Sequence, residues 1–221
     1  AACGAYGYAL FLQARAFYMR GDFWSTEQAA QRSLQAGALA DWQEGLLYNI
    51  LGRVYKELGE AEKAAEYSKA ALPYISGREE KAAEYSNYLF NLYYLQKDAA
   101  FMQAAAKGYA DLFREVRPFR HARRNRHVKL RIGYISPDFC MHVVAYFSYV
   151  LLHDYDRQRF EVTCYANCHE DGLSERFKAM ADHWCNIYGL TSEQAAQKIY
   201  ADEIDILFDL SGHTQHNCLP V

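Results

Sequence analysis

The alternation of apolar and polar positions changes character once along this chain. From Tyr6 to Phe113 apolar residues return at helical spacing, the pattern of helices that each bury one face. From Leu130 onward short apolar runs alternate with helical stretches. The predicted order is a strand over Leu130 to Ile135, a helix over Val143 to Leu152, a strand over Phe160 to Tyr165 and a helix over Leu173 to Asp182. A short strand near Trp184 to Ile187, a helix over Ser192 to Tyr200 and a strand over Ile204 to Leu210 follow. Such alternation predicts a parallel sheet with right-handed crossovers. Leu130, Ile132, Tyr134 and Ile135 form a nearly continuous apolar run, which suits a strand covered on both faces. The expected architecture is α followed by α/β: a helical array over 1–116, a connector over 117–129 and a sheet domain over 130–221.

Two helical segments align with one another. Leu46 to Leu72, LLYNILGRVYKELGEAEKAAEYSKAAL, places Tyr48, Leu51, Gly52, Tyr55, Gly59, Ala64 and Ala71 where a tetratricopeptide repeat (TPR) puts its packing residues. Small residues at Gly52 and Ala64 let two antiparallel helices approach closely, and Gly59 is placed to turn the chain between them. Leu10 to Leu34 repeats the layout with Ala14, Phe17, Gly21 and Ser33, but Thr26 stands where the stronger unit has Ala64. A third block runs from Glu80 to Phe113. Such arrays offer a groove for an extended peptide or serve only as spacers. Asn49 and Arg53 are the residues expected to face a groove.

Composition narrows the function classes. With 24 basic and 27 acidic residues the net charge is -3, so the chain as a whole has no bias toward nucleic acid or anionic lipid. No apolar run nears the roughly 20 residues that span a bilayer, and no signal peptide is evident. A cytoplasmic protein without membrane or nucleic-acid partners is expected. The one dense basic stretch, RPFRHARRNRHVK from Arg117 to Lys129, has only Phe119 as an aromatic platform, too little to argue for nucleic-acid binding. Its arginines are expected to meet acidic helices or solvent. The six cysteines are irregularly spaced and read as free thiols. His213, His216 and Cys218 lack a second ligand pair, so no metal is expected.

Candidate chemistry gathers where strands end. After the first strand, Ser136 and Pro137 stop the run and Asp138 is a plausible helix N-cap. The amides of Phe139, Cys140 and Met141 would then form an electropositive mouth beside His142, suited to phosphate oxygens. The last strand runs into DLSGHT, which puts Ser211, Gly212, His213 and Thr214 at a carboxyl end, where open α/β sheets bind ligands. No GxGxxG follows either of the first two strands, so no nicotinamide or flavin is expected.

LRIGYISPDFCMH, FEVTCYAN, MADHWCNIYGL and DILFDLSGHT, in this order and spacing, resemble the first half of the catalytic region of the TPR-containing O-GlcNAc transferase family, bacterial members best. The resemblance covers roughly Asn87 to Val221. It implies a Rossmann-like first lobe of a GT-B glycosyltransferase, inverting and metal-independent. The complete enzyme would transfer GlcNAc from UDP-GlcNAc to Ser or Thr of proteins, with the nucleotide sugar as substrate and no cofactor.

On that resemblance His142 matches a histidine beside the donor phosphate and the attacking hydroxyl. Asp138, Gly212, His213 and Thr214 would line the substrate cleft. Asn186 stands where the family has an aspartate proposed to assist the acceptor hydroxyl, and a carboxamide cannot take that proton. Asp182 is a neighbouring carboxylate. Val143 replaces a usual proline, and Ile50 occupies the position matched to the asparagine ladder of animal members, so no ladder is expected. The second lobe, which holds most of the donor, is expected to be missing from this chain, which alone would not turn over. Two rivals remain: transfer of another hexose to asparagine, and a TPR peptide-binding adaptor with a vestigial α/β part.

Overall fold

The computed structural model describes residues 2–121 and 127–221, with side chains from residue 5 onward. It divides into two compact units, Ala1–Glu115 and Val116–Val221.

The first unit is built of three helix pairs: α1 (Ala2–Met19) with α2 (Phe23–Ala36), α3 (Asp41–Glu57) with α4 (Ala61–Ala71), and α5 (Arg78–Leu92) with α6 (Ala99–Asp111). The pairs coincide with the three blocks in the sequence. Gly52 lies where α3 meets α4: a Cβ there would stand 2.9 Å from Ser68 Oγ and 3.2 Å from the Ser68 amide nitrogen. Gly59 turns the chain at φ +77°, a conformation that favours glycine. Thr26, the departure from the repeat, is fully buried like Ala64, and its hydroxyl donates to the Asp22 carbonyl at 2.6 Å. Burial there costs no orphaned hydroxyl. Buried Ser33 likewise donates to the Gly7 carbonyl at 2.8 Å, tying α2 to α1.

The second unit is a four-stranded parallel sheet in the order β3-β2-β1-β4. Its strands are β1 (Leu130–Ser136), β2 (Phe160–Ala166), β3 (His183–Asn186) and β4 (Ile206–Asp209). The helices between them are α7 (Val143–His153), α8 (Gly172–Met180) and α9 (Ser192–Ala201). The period of two along each strand sorts the cores. Ile132, Val162, Cys164 and Ala166 pack on one face with Ala145 and Leu152 of α7 and Phe177 of α8. Ile135 and Tyr165 point the other way, to Ala195 and Ile199 of α9. The crossovers β1-α7-β2 and β2-α8-β3 thus cover one face, and β3-α9-β4 returns over the other to pair with β1. The chain reverses its direction of growth between β1 and β4, which is the topological switch of a Rossmann-like half-domain.

The helix after β1 departs from expectation. It begins at Val143, its N-cap is His142, and Asp138 lies four residues upstream in the connecting bend. The amides expected to form a phosphate mouth are committed elsewhere or lie before the helix. Asp171, at the start of α8, accepts the Met141 N–H at 2.6 Å, and Ser174 donates to the Phe139 carbonyl at 2.7 Å. With Phe139 fully buried, the bend is pinned to α8 before α7 can start.

Candidate functional site

Parallel pairing sets the ends of all four strands along one edge. Ser136 is in register with Ala166, Ala166 with Asn186, and Ile135 with Asp209. Every residue singled out in the α/β part except Asp182 therefore belongs to this carboxyl edge. Asp182 precedes β3 and sits at the opposite edge, where its carboxylate accepts the Val162 N–H and the Tyr155 hydroxyl and pairs with Arg157. It cannot stand in for a carboxylate at Asn186.

Two loops flank the switch point. The first, after β1, carries Asp138 and His142. Ser136 is fully buried and its hydroxyl accepts the Asp138 N–H at 3.0 Å, which fixes the start of the bend. The Asp138 side chain is 14% exposed, and Oδ1 lies 3.3 Å from Nδ1 of His142, whose side chain is 47% exposed. Burial pushes the Asp138 carboxyl above its ordinary value, against the opposing influence of His142 and His216.

The second loop, after β4, is braced by Asp209. Its carboxylate accepts from the Ser211 and Gly212 amides and from the Ser211 hydroxyl. Gly212 takes φ +55° and has open space where a Cβ would stand. Thr214 donates its hydroxyl and its amide to the Ser211 carbonyl at 2.9 and 3.2 Å, so its side chain closes the turn. His213 is half-buried, and burial lowers its pKa, so the ring stays neutral at neutral pH.

Sequence reasoning passed over Asn167, which joins these loops. Its amide donates to the Ser136 carbonyl at 2.9 Å, and its side chain donates to the His216 carbonyl at 3.2 Å. Its place directly after β2 was the available signal, because the rule that located the other two loops applies to every strand end. His216, noted only as a metal-like histidine, acts electrostatically on the Asp138 carboxyl from the second loop.

Asn186 lies at the same edge on the outer strand. Its carboxamide donates to the Cys168 carbonyl at 3.3 Å and to Glu170 Oε1 at 3.0 Å, and its oxygen accepts the Tyr188 N–H at 2.8 Å. Both acceptors require a donor opposite them. An aspartate would face the Glu170 carboxylate, which is also held by Trp184 and Lys178. The departure from the family pattern thus has a local complement.

The thiols at this edge are poor nucleophiles. Cys140 and Cys168 are hydrogen-bonded neighbours, and burial pushes Cys168 up to about 12 and Cys218 to about 11. Cys140, Cys164, Cys168, Cys185 and Cys218 are free, and the side chain of Cys3 lies outside the described residues. Among the described residues no three His, Cys, Asp or Glu side chains are grouped to hold a metal ion. No described helix is long and apolar enough to cross a membrane.

Asn49 and Arg53 belong to the first unit. Asn49 donates to the buried carboxylate of Glu84 on α5, as does Asn87 at 3.1 Å, whereas Arg53 is exposed. Ile50 is 4% exposed and part of the core. Of the connector, Phe119 stacks on Tyr200 of α9 at 4.5 Å between ring centroids. Residues 122–126, which hold Arg123, Arg124 and Arg126 of the basic run, lie outside the described residues.

Three comparisons bear on this arrangement. The family model described as glycosyl transferase family 41 matches residues 105–218. A probable UDP-N-acetylglucosamine–peptide N-acetylglucosaminyltransferase of Arabidopsis thaliana, SPINDLY, is 38% identical over 95 residues, 41% of this chain and 10% of that protein. The UDP-N-acetylglucosamine–peptide N-acetylglucosaminyltransferase of Caenorhabditis elegans is 37% identical over 90 residues, 39% of this chain and 8% of that one. An O-GlcNAc transferase mutant of Thermobaculum terrenum has a similar structure, with a TM-score of 0.57 and 25% identity over 99% of this chain and 48% of its own. The match thus spans about a tenth of the curated relatives and about half of the solved one.

Proposed function

This chain belongs to glycosyl transferase family 41, and from that premise we propose that it supplies the TPR-like repeats and the first catalytic lobe of an enzyme that transfers GlcNAc from UDP-GlcNAc to Ser or Thr of proteins. The reading rests on one observation above the others: the Asp138–His142 bend and the Ser211–Thr214 loop flank the single switch point of the sheet. Ligands of open α/β sheets bind in that crevice.

In this reading His142 handles the proton of the acceptor hydroxyl or donates to a phosphate oxygen of the donor. Gly212 lets the ligand approach the backbone, and His213, neutral through burial, offers a hydrogen bond without a charge. Asn186 orients its own loop through Cys168 and Glu170 and takes no proton. A second lobe completes the donor site, Arg53 and its neighbours on the repeats meet the protein acceptor, and the enzyme works in the cytoplasm.

The test uses the protein as encoded by its full reading frame, incubated with labelled UDP-GlcNAc and protein acceptors. His142→Ala should reduce transfer by about 100-fold or more while acceptor binding is retained. Unchanged transfer in that variant would overturn the role given to His142, and acceptor binding with no transfer in the wild type would support the adaptor reading instead.

A further inference from the structure

Two partners reach the ring of His142 through the same atom. Nδ1 lies 3.3 Å from the amide nitrogen of Val144, in the first turn of α7, and 3.3 Å from Oδ1 of Asp138. One nitrogen cannot serve both at once. To accept the Val144 N–H it must present a lone pair, and to bond the carboxylate it must carry a proton.

The choice fixes the character of the other nitrogen. When Nδ1 caps the helix, the neutral ring carries its proton on Nε2, which is then a hydrogen-bond donor. When Nδ1–H is given to Asp138, Nε2 holds the lone pair and is a base. Among the described residues no protein atom engages Nε2, and the ring is half-exposed at the switch-point edge.

In the structure Nδ1 accepts the Val144 N–H, with the Asp138 carboxylate at ion-pair distance beside it, yet the surroundings favour the carboxylate once the ring can choose. Asp138 is mostly buried, its backbone amide is tied to Ser136, and the groups whose charge acts on its side chain are His142 from its own bend and His216 from the loop after β4. Asp171, the N-cap of α8, is already bonded to the Met141, Leu173 and Ser174 amides. The Val144 amide, at an exposed helix start, can turn to water.

We propose that Asp138 is a positioning residue: its carboxylate holds the Nδ1 proton of His142, so that Nε2 faces the crevice as a base. Without Asp138, Nδ1 passes to the Val144 amide and Nε2 becomes a donor. The catalytic meaning of this arrangement rests on the function proposed above. When Nε2 takes a proton from a hydroxyl, the resulting imidazolium keeps its Nδ1–H on Asp138, and the new charge is matched by one already in place.

Long-range proton–nitrogen correlation NMR of the nitrogen-15-labelled chain tests this without donor or acceptor, the His142 signals being identified by their loss in His142→Gln. Above the titration of the ring, the wild type should show the Nδ1–H tautomer. Asp138→Ala should shift the tautomer ratio toward Nε2–H by about tenfold, because a charge-assisted bond is exchanged for a neutral one. Asp138→Asn, which keeps an acceptor but no charge, should give an intermediate ratio, and His216→Gln should leave the ratio unchanged. An Nε2–H ring in the wild type, or no shift in Asp138→Ala, overturns the proposal. So does an equal shift in His216→Gln, which would indicate a general disturbance of the loops. Should Asp138→Ala fail to fold, a wild-type ratio in Asp138→Asn overturns it. A failed transfer assay with the expected tautomers would count against the proposed enzyme alone.

Discussion

The two units place their polar groups in different ways. In the helical unit they are locked into the scaffold: Ser33 on the Gly7 carbonyl, Thr26 on the Asp22 carbonyl, and Glu84 between Asn49 and Asn87. In the α/β unit they collect along one edge, where Asp138, His142, Asn167, His213 and His216 stay partly open to solvent or face one another. The first arrangement specifies how helices pack, and the second leaves groups able to exchange protons. A polar side chain is thus informative about chemistry only once its partners are known.

The largest expected effect breaks the first unit while sparing the second. Gly52→Val drives a branched side chain into Ser68, backbone as well as hydroxyl, and should cost about 3 kcal/mol. Hydrogen exchange should show lost protection in α3 and α4 with β1 and β2 retained. The counterpart is Gly133→Ala in β1, where the new Cβ would meet the side chains of Leu207, Ile204 and Tyr165 at 2.9–3.2 Å. The Leu207 side chain is exposed and can give way, while Tyr165 is fully buried, so about 1 kcal/mol is expected.

Glu84→Ala strips the shared acceptor from Asn49 and Asn87 and should cost about 2 kcal/mol in chemical denaturation. Its pH dependence sharpens the comparison. Burial holds the Glu84 carboxyl above its ordinary value of 4.5, so the folded state binds this proton more tightly than the unfolded one. Its contribution is complete below 4.5 and declines as pH rises through the raised folded value. Glu84→Gln should flatten that decline.

At the edge of the α/β unit, Asn186→Asp would put a carboxylate against Glu170 and the Cys168 carbonyl. A loss of about 1 kcal/mol is expected, recovered when Glu170→Gln is added. An additive double-mutant cycle would refute the coupling.

The smallest effect concerns His127, whose Nδ1 and Nε2 lie 3.0 and 3.2 Å from Asp205 and Glu203. These partners raise its pKa above 6.5, so its contribution is complete below 6.5 and fades as pH rises through the folded value. Melting curves of His127→Gln and wild type should differ in mild acid and converge in mild alkali.

Periodicity alone fixed the three helix pairs, the four strands and their parallel order of appearance, because the spacing of apolar side chains is a local property that survives into the fold. Gly52 and Gly59 were legible for the same reason: one sits within a repeat at a required close approach, and the other in a turn. The four motif blocks also carried the family. Tertiary structure decided what lies between distant segments. It moved the helix cap from Asp138 to His142, because Asp171 and Ser174, some thirty residues further on, hold the bend. It gave Asn49 to Glu84 and Asn186 to Glu170, and it brought Asn167 and His216 to the switch point. A hydrogen bond depends on where two groups meet in space, and neither member of such a pair shows in the sequence which partner the fold will bring to it.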